Sequence, residues 1–385
     1  MSQYTSQKLI FVSTFDYPTR FAHALHGLHM ARAFAAQSGD SFLYIVNTAV
    51  SPDELAGIGY RRLFGRFGRR IKKLHLRRVL IPVSLAWFFI TNPTWRKVIV
   101  LTTDPALFPT LAFLKKIFGF TFVCECHGVL TPMQDASIAQ HADAIFFVTA
   151  SLKNNFVTMH PERTNKAYLL PNAVDVEAFA AVSDDKIQLR KKLSLPLENT
   201  LVGYVGRFEP LGDDKGLHLM IDSVQNLPAD IMLVLVGGAK AEIARYADYV
   251  ASKGLQDRVV LVPYVTLGLV AEYEKACDML AYVPAARTRF FEKETSPMKL
   301  FEYMATHRPI IVSDSGAMRE ILDDSSALFV EAGSQQQFVD AIQNLAEHPD
   351  IGMRLADAAL KKVSHNTWKQ RAQEIMKSVN RQSVR

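Results

Sequence analysis

The chain has 385 residues, of which 49% are hydrophobic and 21% are charged, and its formal net charge is +6. This length exceeds what one ordinary hydrophobic core supports, and the composition excludes a disordered chain, so we expect two globular domains. The opening MSQYTSQKLIFVSTFD lacks the basic start, apolar core and small-residue cleavage site of a secretory leader. We therefore expect a cytoplasmic protein.

The basic residues are concentrated in the first half of the chain. Residues 1–178 have a charge balance of +8, whereas the remainder has −2. The run RRLFGRFGRRIKKLHLRR at 61–78 carries nine Lys and Arg residues and is followed by VLIPVSLAWFFI at 79–90, which is too short to span a bilayer. Its apolar interleaving favours an anionic membrane surface bound through residues 61–90, while a basic solvated helix followed by a core helix remains open. No nucleic-acid motif accompanies the charge, so we expect no nucleic-acid partner.

The three cysteines, Cys124, Cys126 and Cys277, are too few for a disulfide framework. Two of them lie in TFVCECH with His127 beside them, so a zinc site is one interpretation. No second cluster completes four ligands, and inert packing of the thiols is favoured.

Short apolar runs alternate with helical patterns along the whole chain, which predicts parallel sheets covered by helices on both faces. The polar stretch DVEAFAAVSDDKIQLRKKLSLPLENT at 175–200 separates two groups of six runs and predicts a linker. The predicted strands lie in the runs KLIFVST (8), SFLYIVN (41), KVIVLTT (97), TFVCECH (121), AIFFVTA (144), KAYLLPN (166), LVGYVGRF (201), IMLVLVGG (231), VVLVPYV (259), MLAYVPA (279), PIIVSDS (309) and ALFVEAG (327).

Two cationic side chains flank the loop after the strand at 201. Arg207 follows Gly206 at the end of that strand, and Lys215 precedes a helical pattern. A guanidinium and an ammonium at the carboxyl end of a strand can hold a diphosphate, although a solvated loop in which Asp213 or Asp214 pairs with Lys215 is an even alternative.

The glycine pair after the run IMLVLV begins with Gly237, which could let the backbone approach a ligand closely. A simple turn is the alternative at this position.

The stretch FEKETSPMKLFEYMATHRPIIVSDSG at 291–316 predicts a helix with Ser296 as N-cap and Pro297 as its first residue. Lys299 would lie in the first turn, where free N–H groups and the positive dipole end favour an anion such as a phosphate.

Two carboxylates, Glu294 and Glu302, flank this helix start with seven residues between them. They are suited to binding paired hydroxyls on either side of a diphosphate, as a nucleotide-sugar presents them. An exposed i, i+3 ion pair between Lys299 and Glu302 is the alternative.

These motifs together resemble glycosyltransferase family 4, retaining enzymes of the GT-B fold. The resemblance is carried by Glu294-x7-Glu302 within ETSPMKLFEYMATHRPIIVSD, GRF…KG at 206–216, LPNAVDVEAF at 170–179 and NTWKQRAQEI at 366–375. It implies two Rossmann-like doubly wound α/β domains facing across a cleft. We expect an acceptor-binding domain at 1–178, a nucleotide-sugar-binding domain at 179–363 and a C-terminal helix at 364–385 that crosses back to the first domain.

The resemblance also implies roles for individual residues. Glu302 would bind the ribose, Glu294 and His127 the donor sugar, and Arg207 with Lys215 the diphosphate, assisted by the helix start from Ser296 to Lys299 and by Gly206 and Gly237. Backbone at Tyr264 and Val265 would meet the base. The stretch STFDYPTRFAHALHG at 13–27 departs from the Gly-Gly loop of many members, and Thr19, Arg20 or His23 could substitute for its contacts.

The predicted function is therefore retaining sugar transfer from a UDP- or GDP-sugar to a saccharide or lipid-linked acceptor. We expect it at the cytoplasmic membrane face, in glycolipid or surface-polysaccharide biosynthesis. No Asp-x-Asp loop is placed to hold a divalent ion, so we expect no metal. A GT-B nucleotide-sugar epimerase and a non-catalytic nucleotide-sugar-binding partner remain as alternatives, whereas a glycosidase would leave Arg207 and Lys215 without a purpose.

Overall fold

The computed structural model describes residues 8–14, 22–46, 55–62, 74–95, 98–209, 215–284 and 290–383, with the backbone alone at 74–79, 290 and 382–383. The chain divides into two units, a first unit of Met1–Pro171 with Trp368–Arg385 and a second unit of Asn172–Thr367. These divisions lie close to, but not at, the bounds expected from the sequence, 178/179 and 363/364.

The first unit contains a seven-stranded parallel sheet in the order β3-β2-β1-β4-β5-β6-β7. Its strands are β1 (Leu9–Val12), β2 (Phe42–Val46), β3 (Tyr60–Arg62), β4 (Ile99–Thr102), β5 (Thr121–Cys126), β6 (Ala144–Phe147) and β7 (Ala167–Leu169). The part of this unit that comes from Met1–Pro171 contains the helices α1 (Ala22–Ser38), α2 (Leu74–Thr91), α3 (Phe108–Phe118), α4 (Pro132–His141) and α5 (Ala150–Met159).

The second unit contains a six-stranded parallel sheet in the order β10-β9-β8-β11-β12-β13. Its strands are β8 (Thr200–Val205), β9 (Ile231–Gly238), β10 (Val259–Pro263), β11 (Met279–Tyr282), β12 (Ile310–Ser313) and β13 (Leu328–Val330). Its helices are α6 (Val176–Ala180), α7 (Lys186–Leu193), α8 (Leu217–Ser223), α9 (Lys240–Ser252), α10 (Leu267–Ala276), α11 (Met298–Ala305), α12 (Gly316–Arg319), α13 (Gln335–Glu347) and α14 (Pro349–Val363).

The last helix, α15 (Trp368–Ser383), belongs to the first unit and packs against α1. Trp368 stacks on the His29 ring with 5.0 Å between ring centroids. Gln37 donates a hydrogen bond from Nε2 to the Lys369 carbonyl at 2.9 Å. The final helix is therefore part of the same core as the first strands of the chain.

Each of the twelve apolar runs contains a strand, which confirms the prediction of two doubly wound parallel sheets. Every residue of β1, β4, β9 and β11 is buried, as expected for strands covered by helices on both faces. The thiols of Cys124, Cys126 and Cys277 are buried and unpaired by disulfides.

One strand was missed. Tyr60–Arg62 pairs in parallel with β2 at the edge of the first sheet, although Arg61 and Arg62 belong to the basic run that we expected to bind an anionic surface. Edge strands are short and tolerate charge, so three residues with two arginines give no apolar signal. Of the basic run, Arg69, Arg70, Lys72 and Lys73 lie outside the described residues.

α2 covers most of the apolar stretch and contains Pro82 in its interior. Within the part of the chain that the structure describes, none of the helices has the length and apolar character that a bilayer crossing requires.

Candidate functional site

The predicted nucleotide-binding residues follow four neighbouring strands of the second sheet. Arg207 follows β8, Gly237 is the last residue but one of β9, Tyr264 and Val265 follow β10, and Glu294 lies between β11 and α11. The strand order reverses between β8 and β11, and ligands bind at such a reversal, beyond the carboxyl ends of the strands. The topology therefore brings these segments to one edge of the sheet.

Lys299 lies against the end of β8. Its Nζ donates a hydrogen bond to Tyr204 Oη at 2.5 Å and lies 3.9 Å from the centre of the Tyr204 ring. Tyr204 Oη in turn donates to the Arg207 carbonyl at 2.6 Å. Among the described contacts, Lys299 does not form the i, i+3 ion pair with Glu302, so that alternative is wrong. Lys299 instead links α11 to the loop that carries Arg207.

Two glycines permit this approach. A Cβ on Gly206, whose φ is +150°, would lie 2.3 Å from Lys299 Nζ. A Cβ on Gly237, whose φ is +113°, would lie 2.4 Å from the Gly206 carbonyl oxygen. Distances below 3.0 Å are incompatible with a side chain unless neighbours move. At Gly237 the backbone of Gly206 itself leaves no room for a side chain. At Gly206 the positive φ disfavours one, and a Cβ would also displace the Lys299 ammonium.

Lys215 is nearly buried, with 8% of its surface exposed, and its Nζ lies 3.6 Å above the centre of the Phe291 ring. The next residue, Gly216, has a φ of +89°, and a Cβ there would lie 1.9 Å from the Val283 carbonyl oxygen. Lys215 is thus held between the start of α8 and the segment after β11. Asp213 and Asp214, its alternative partners, lie outside the described residues.

The helix start differs from the prediction. α11 begins at Met298, and Pro297 occupies the N-cap position with an extended ψ of 120°. Ser296 does not cap the helix, because its Oγ accepts from the Asn172 backbone N–H at 3.5 Å. The Asn172 side chain also donates from Nδ2 to the Ser296 carbonyl at 2.5 Å. A bond to a distant segment has replaced the local cap.

The two predicted carboxylates differ in their surroundings. Glu294 is buried, with 3% exposed, at the end of a single π-helical turn, Phe290–Glu294. Glu302 is half-buried on α11. Burial raises the pKa of Glu302, and Lys299 opposes that shift. Glu274 on α10 is buried beside them, and burial together with the charge of Glu302 raises its pKa well above the usual value.

The ammonium of Lys299 is perturbed in the opposite direction. Burial, reinforced by the charge of Lys215, lowers its pKa to about 7, while Glu302 and Glu274 oppose the shift. Two cations are therefore close enough to repel each other at the carboxyl end of β8. An anion bound between them would relieve that repulsion.

A cavity of about 790 Å³ opens at the carboxyl ends of β12 and β13, lined by residues that include Phe291, Asp314 and Arg319. Arg319 pairs with Asp314, with 2.8 Å between Nη2 and Oδ2. None of the predicted nucleotide-binding residues lines this cavity.

His127 directly follows β5 in the first unit, and 20% of its side chain is exposed. Its Nε2 lies 3.4 Å from Oε2 of the buried Glu125. The ring of His26 on α1 is 4.5 Å from the His127 ring, centroid to centroid. Ligand atoms of these three residues lie within 4.8 Å of one another, a spacing that a metal ion could use.

Several contributors were not found from the sequence: Tyr204, Glu274, Asn172, Glu125 and Arg371. Glu125 carried a usable signal, because a charged residue inside the apolar run TFVCECH needs a buried partner. Its spacing of two from His127 also places both side chains on one face of the strand. The partner, Arg371, is distant in sequence, so no local pattern identifies it.

The second unit thus presents cationic groups beside carboxylates at the end of a parallel sheet. Ammonium, guanidinium and backbone N–H groups bind phosphate oxygens, while carboxylates accept from hydroxyls. These groups suit a ligand that contains both an anionic group, such as a phosphate, and hydroxyl groups.

Residues 185–362 match the family model "Glycosyl transferases group 1". D-inositol 3-phosphate glycosyltransferase of Xylanimonas cellulosilytica is 25% identical over 233 residues, which are 58% of this chain and 54% of that protein. The chain thus spans about half the length of the curated relatives it matches.

Two solved proteins share the fold over almost the whole chain. Anabaena HepE in complex with UDP has a TM-score of 0.78 at 16% identity, covering 97% of this chain and 100% of HepE. Sucrose-phosphate synthase from Thermosynechococcus elongatus has a TM-score of 0.76 at 18% identity, covering 98% and 99%. The chain has the GT-B fold, and its second unit carries the group 1 match.

Proposed function

We propose that this protein is a retaining glycosyltransferase that moves a sugar from a nucleoside-diphosphate sugar to a saccharide or lipid-linked acceptor. The observation that carries the proposal is the cluster around Gly206, within the segment that matches group 1 glycosyl transferases. There Lys299 interacts electrostatically with Lys215 and Glu302, and Tyr204 links it to the Arg207 carbonyl. The assignment to family 4, and retention of configuration with it, rests on the sequence resemblance.

In this proposal the second unit binds the donor. Arg207, Lys215 and Lys299 bind the diphosphate, Glu302 binds the ribose and Glu294 the sugar. Breaking the anomeric bond leaves positive charge on the sugar and adds negative charge to the diphosphate. Cations already fixed by Tyr204 and Phe291 stabilise that leaving group without reorganising, which is the main catalytic contribution we propose.

We further propose that these cations suffice and that no divalent metal is needed for donor binding. The sequence offers no Asp-x-Asp loop for such an ion. Turnover that persists in EDTA is the expected result. Loss of turnover in EDTA, with recovery on adding Mg²⁺ or Mn²⁺, would contradict it.

The donor base is proposed to be uracil or guanine, and uracil is the first to test. HepE has been solved with UDP and with UDP-glucose, and it shares the fold of this chain. In this proposal the backbone at Tyr264 and Val265, two half-buried residues that directly follow β10, meets the base.

We propose that the first unit binds the acceptor and associates with the cytoplasmic membrane face. On α2, Val83, Trp87 and Ile90 are more than half exposed and lie at helical spacing on one face. Arg61 and Arg62 line a groove of about 250 Å³ with Val83 and Trp87. Exposed apolar side chains beside arginines suit an anionic membrane interface. A lipid-linked acceptor in that membrane would place the enzyme in glycolipid or surface-polysaccharide biosynthesis.

Membrane association is tested by flotation with vesicles containing anionic lipid. Trp87→Glu is expected to reduce bound protein severalfold, because it removes the apolar anchor and adds a repelling charge. Met159→Glu, at an exposed apolar position on α5, is the matched control. Equal flotation of Trp87→Glu and wild type would reject the membrane part of the proposal and favour a water-soluble acceptor.

Turnover is tested by incubating the protein with labelled UDP- and GDP-sugars and a membrane lipid extract. Wild type is expected to transfer label, and Glu294→Ala to lose it, whereas Glu347→Ala on the surface of α13 keeps it. Conversion of the free nucleotide-sugar without acceptor would support an epimerase instead. Tight nucleotide-sugar binding without any turnover would support a non-catalytic partner.

A further inference from the structure

A buried carboxylate in the first unit meets three other polar groups at one oxygen. Glu125 on β5 has no exposed surface. Its Oε2 lies 3.4 Å from His127 Nε2, 3.6 Å from His26 Nε2 and 2.9 Å from Arg371 Nη2. His127 lies just beyond the end of β5, and its contact with Glu125 shows that the two side chains turn to the same side.

The charges of this cluster are set by its burial. Burial alone would raise the pKa of the Glu125 carboxyl, but Arg371, followed by His127 and His26, holds it well below its usual value. Burial also lowers the pKa of His26 well below its usual value, so that this ring is neutral. The cluster therefore contains a carboxylate anion paired with one guanidinium cation.

Arg371 is itself fixed in place by α15. It is buried, with 4% of its surface exposed, and it donates from Nε to the Pro171 carbonyl at 3.0 Å and from Nη2 to the Leu170 carbonyl at 3.1 Å. Trp368, one turn earlier, packs edge-on against His26. Removing either Glu125 or Arg371 would leave the other as a buried charge without a counter-charge. The ion pair therefore holds β5 and α15 together.

A metal ion is the rival occupant, since His26, Glu125 and His127 have suitable spacing. Arg371 argues against it, because its guanidinium already lies 2.9 Å from the same carboxylate oxygen. A divalent cation there would be repelled by that fixed positive charge. The geometry favours an ion pair between the Glu125 carboxylate and Arg371, with the two imidazoles within 3.6 Å of the same oxygen.

We propose that Glu125, held by Arg371 from the last helix, is a positioning residue for His127. The negative charge of the carboxylate, 3.4 Å from Nε2, favours the tautomer that carries its proton on that nitrogen, which leaves Nδ1 free to accept from a substrate hydroxyl. The inference deepens the proposed function and rests on it in one respect, that the first unit binds a substrate of the transfer. The C-terminal helix then acts on His127 through Glu125.

The tautomer is tested on protein labelled with ¹⁵N-histidine, at a pH where the ring is neutral, with His127→Ala to assign the signals. In wild type, His127 is expected to show one protonated and one bare ring nitrogen with widely separated shifts. The double variant Glu125→Leu/Arg371→Met removes both charges at similar volume, which buried pairs often tolerate. There the two shifts should move together. Unchanged His127 shifts in a folded double variant would overturn the proposal.

Two further variants sharpen this experiment. Arg371→Lys keeps the charge and should keep the wild-type tautomer pattern. Lys377→Ala, on an exposed part of the same helix, is the control and should change nothing. A wild-type protein that already shows averaged His127 shifts would also overturn the proposal.

A kinetic cycle separates positioning from simple support of the fold. His127→Ala and Glu125→Leu/Arg371→Met should each lower the transfer rate at least tenfold, and combining them should cost nothing more. Independent, multiplying losses would mean that Glu125 does not act through His127. UDP-induced stabilisation should be unchanged in all variants, because its residues lie in the second unit. If the tautomer result holds and no donor is turned over, positioning stands and the proposed function fails.

Discussion

Lys299 Nζ donates to Tyr204 Oη at 2.5 Å, across 95 positions of sequence. This bond joins the helix after β11 to the end of β8, and Gly206 makes room for it. The phosphate-binding role inferred for Lys299 from its place in the helix therefore depends on a glycine and a tyrosine in another motif.

Gly206→Ala should weaken nucleotide binding at least tenfold and destabilise the second unit by about 1–3 kcal/mol, because φ is +150° and the Cβ would meet Lys299 Nζ. Calorimetric titration with UDP and chemical unfolding measure the two effects. Gly254→Ala is the control, since its φ is +68° but nothing lies within 4 Å of the added Cβ. If both variants bind UDP like wild type, the close approach at Gly206 has no role in binding.

Nucleotide affinity should fall as pH rises above about 7, the lowered pKa of Lys299. A diphosphate favours the charged ammonium, so binding above this pH takes up a proton, whereas below it Lys299 is already charged. Titration in two buffers of different ionisation enthalpy measures this uptake. Lys299→Gln should bind more weakly and lose the proton uptake. Equal uptake in Lys299→Gln and wild type would assign the effect to another group.

Asn172→Ala should destabilise the protein by about 1–3 kcal/mol, because it leaves the buried Ser296 carbonyl without its 2.5 Å donor. Ser296→Ala should cost much less, since Ser296 does not cap α11 and its Oγ accepts only a long bond from Asn172. Urea unfolding of the two variants compares them directly. If Ser296→Ala lost more unfolding free energy than Asn172→Ala, the result would indicate that Ser296 caps α11 after all.

Asp278→Asn should cost about 1.5–3 kcal/mol, because the carboxylate accepts from Arg190 Nη2 at 2.5 Å and from the Leu201 N–H at 2.7 Å. Asp357→Asn is the control, since Asp357 is 70% exposed and its pairing with His307 should be worth little. Unfolding in urea at neutral pH measures both changes.

The same carboxylate predicts an acid dependence. Burial opposes the shift, but bonds from Lys186 and the Leu201 N–H, with the charge of Arg190, lower the pKa of Asp278 below its usual value. A carboxyl whose folded-state pKa is lowered contributes stability above the unfolded pKa, and that stability is lost as pH falls through the folded value. Wild type should therefore lose stability more steeply than Asp278→Asn below about pH 4. Parallel curves would contradict this.

The strands were predictable because a covered parallel strand must be apolar throughout, as β9 is. The edge strand Tyr60–Arg62 was not, since charge and shortness hide it. Although the sequence predicts Ser296 as the cap, Ser296 does not cap the helix, because α11 begins only at Met298 and the Ser296 carbonyl is held by the Asn172 side chain. The pairing of Glu125 with Arg371 could not be read locally, because it joins β5 to the last helix.

We propose above that the second unit binds a nucleoside diphosphate through cations and two carboxylates. Thermal unfolding with UDP, GDP, ADP, dTDP or CDP in EDTA tests this binding. A ligand at 100 times its Kd should add about 2.7 kcal/mol of stability. We expect that UDP or GDP alone raises the midpoint and that Glu302→Ala abolishes the rise while Glu347→Ala keeps it. No stabilisation by any of these nucleotides, or an unchanged rise in Glu302→Ala, would contradict it.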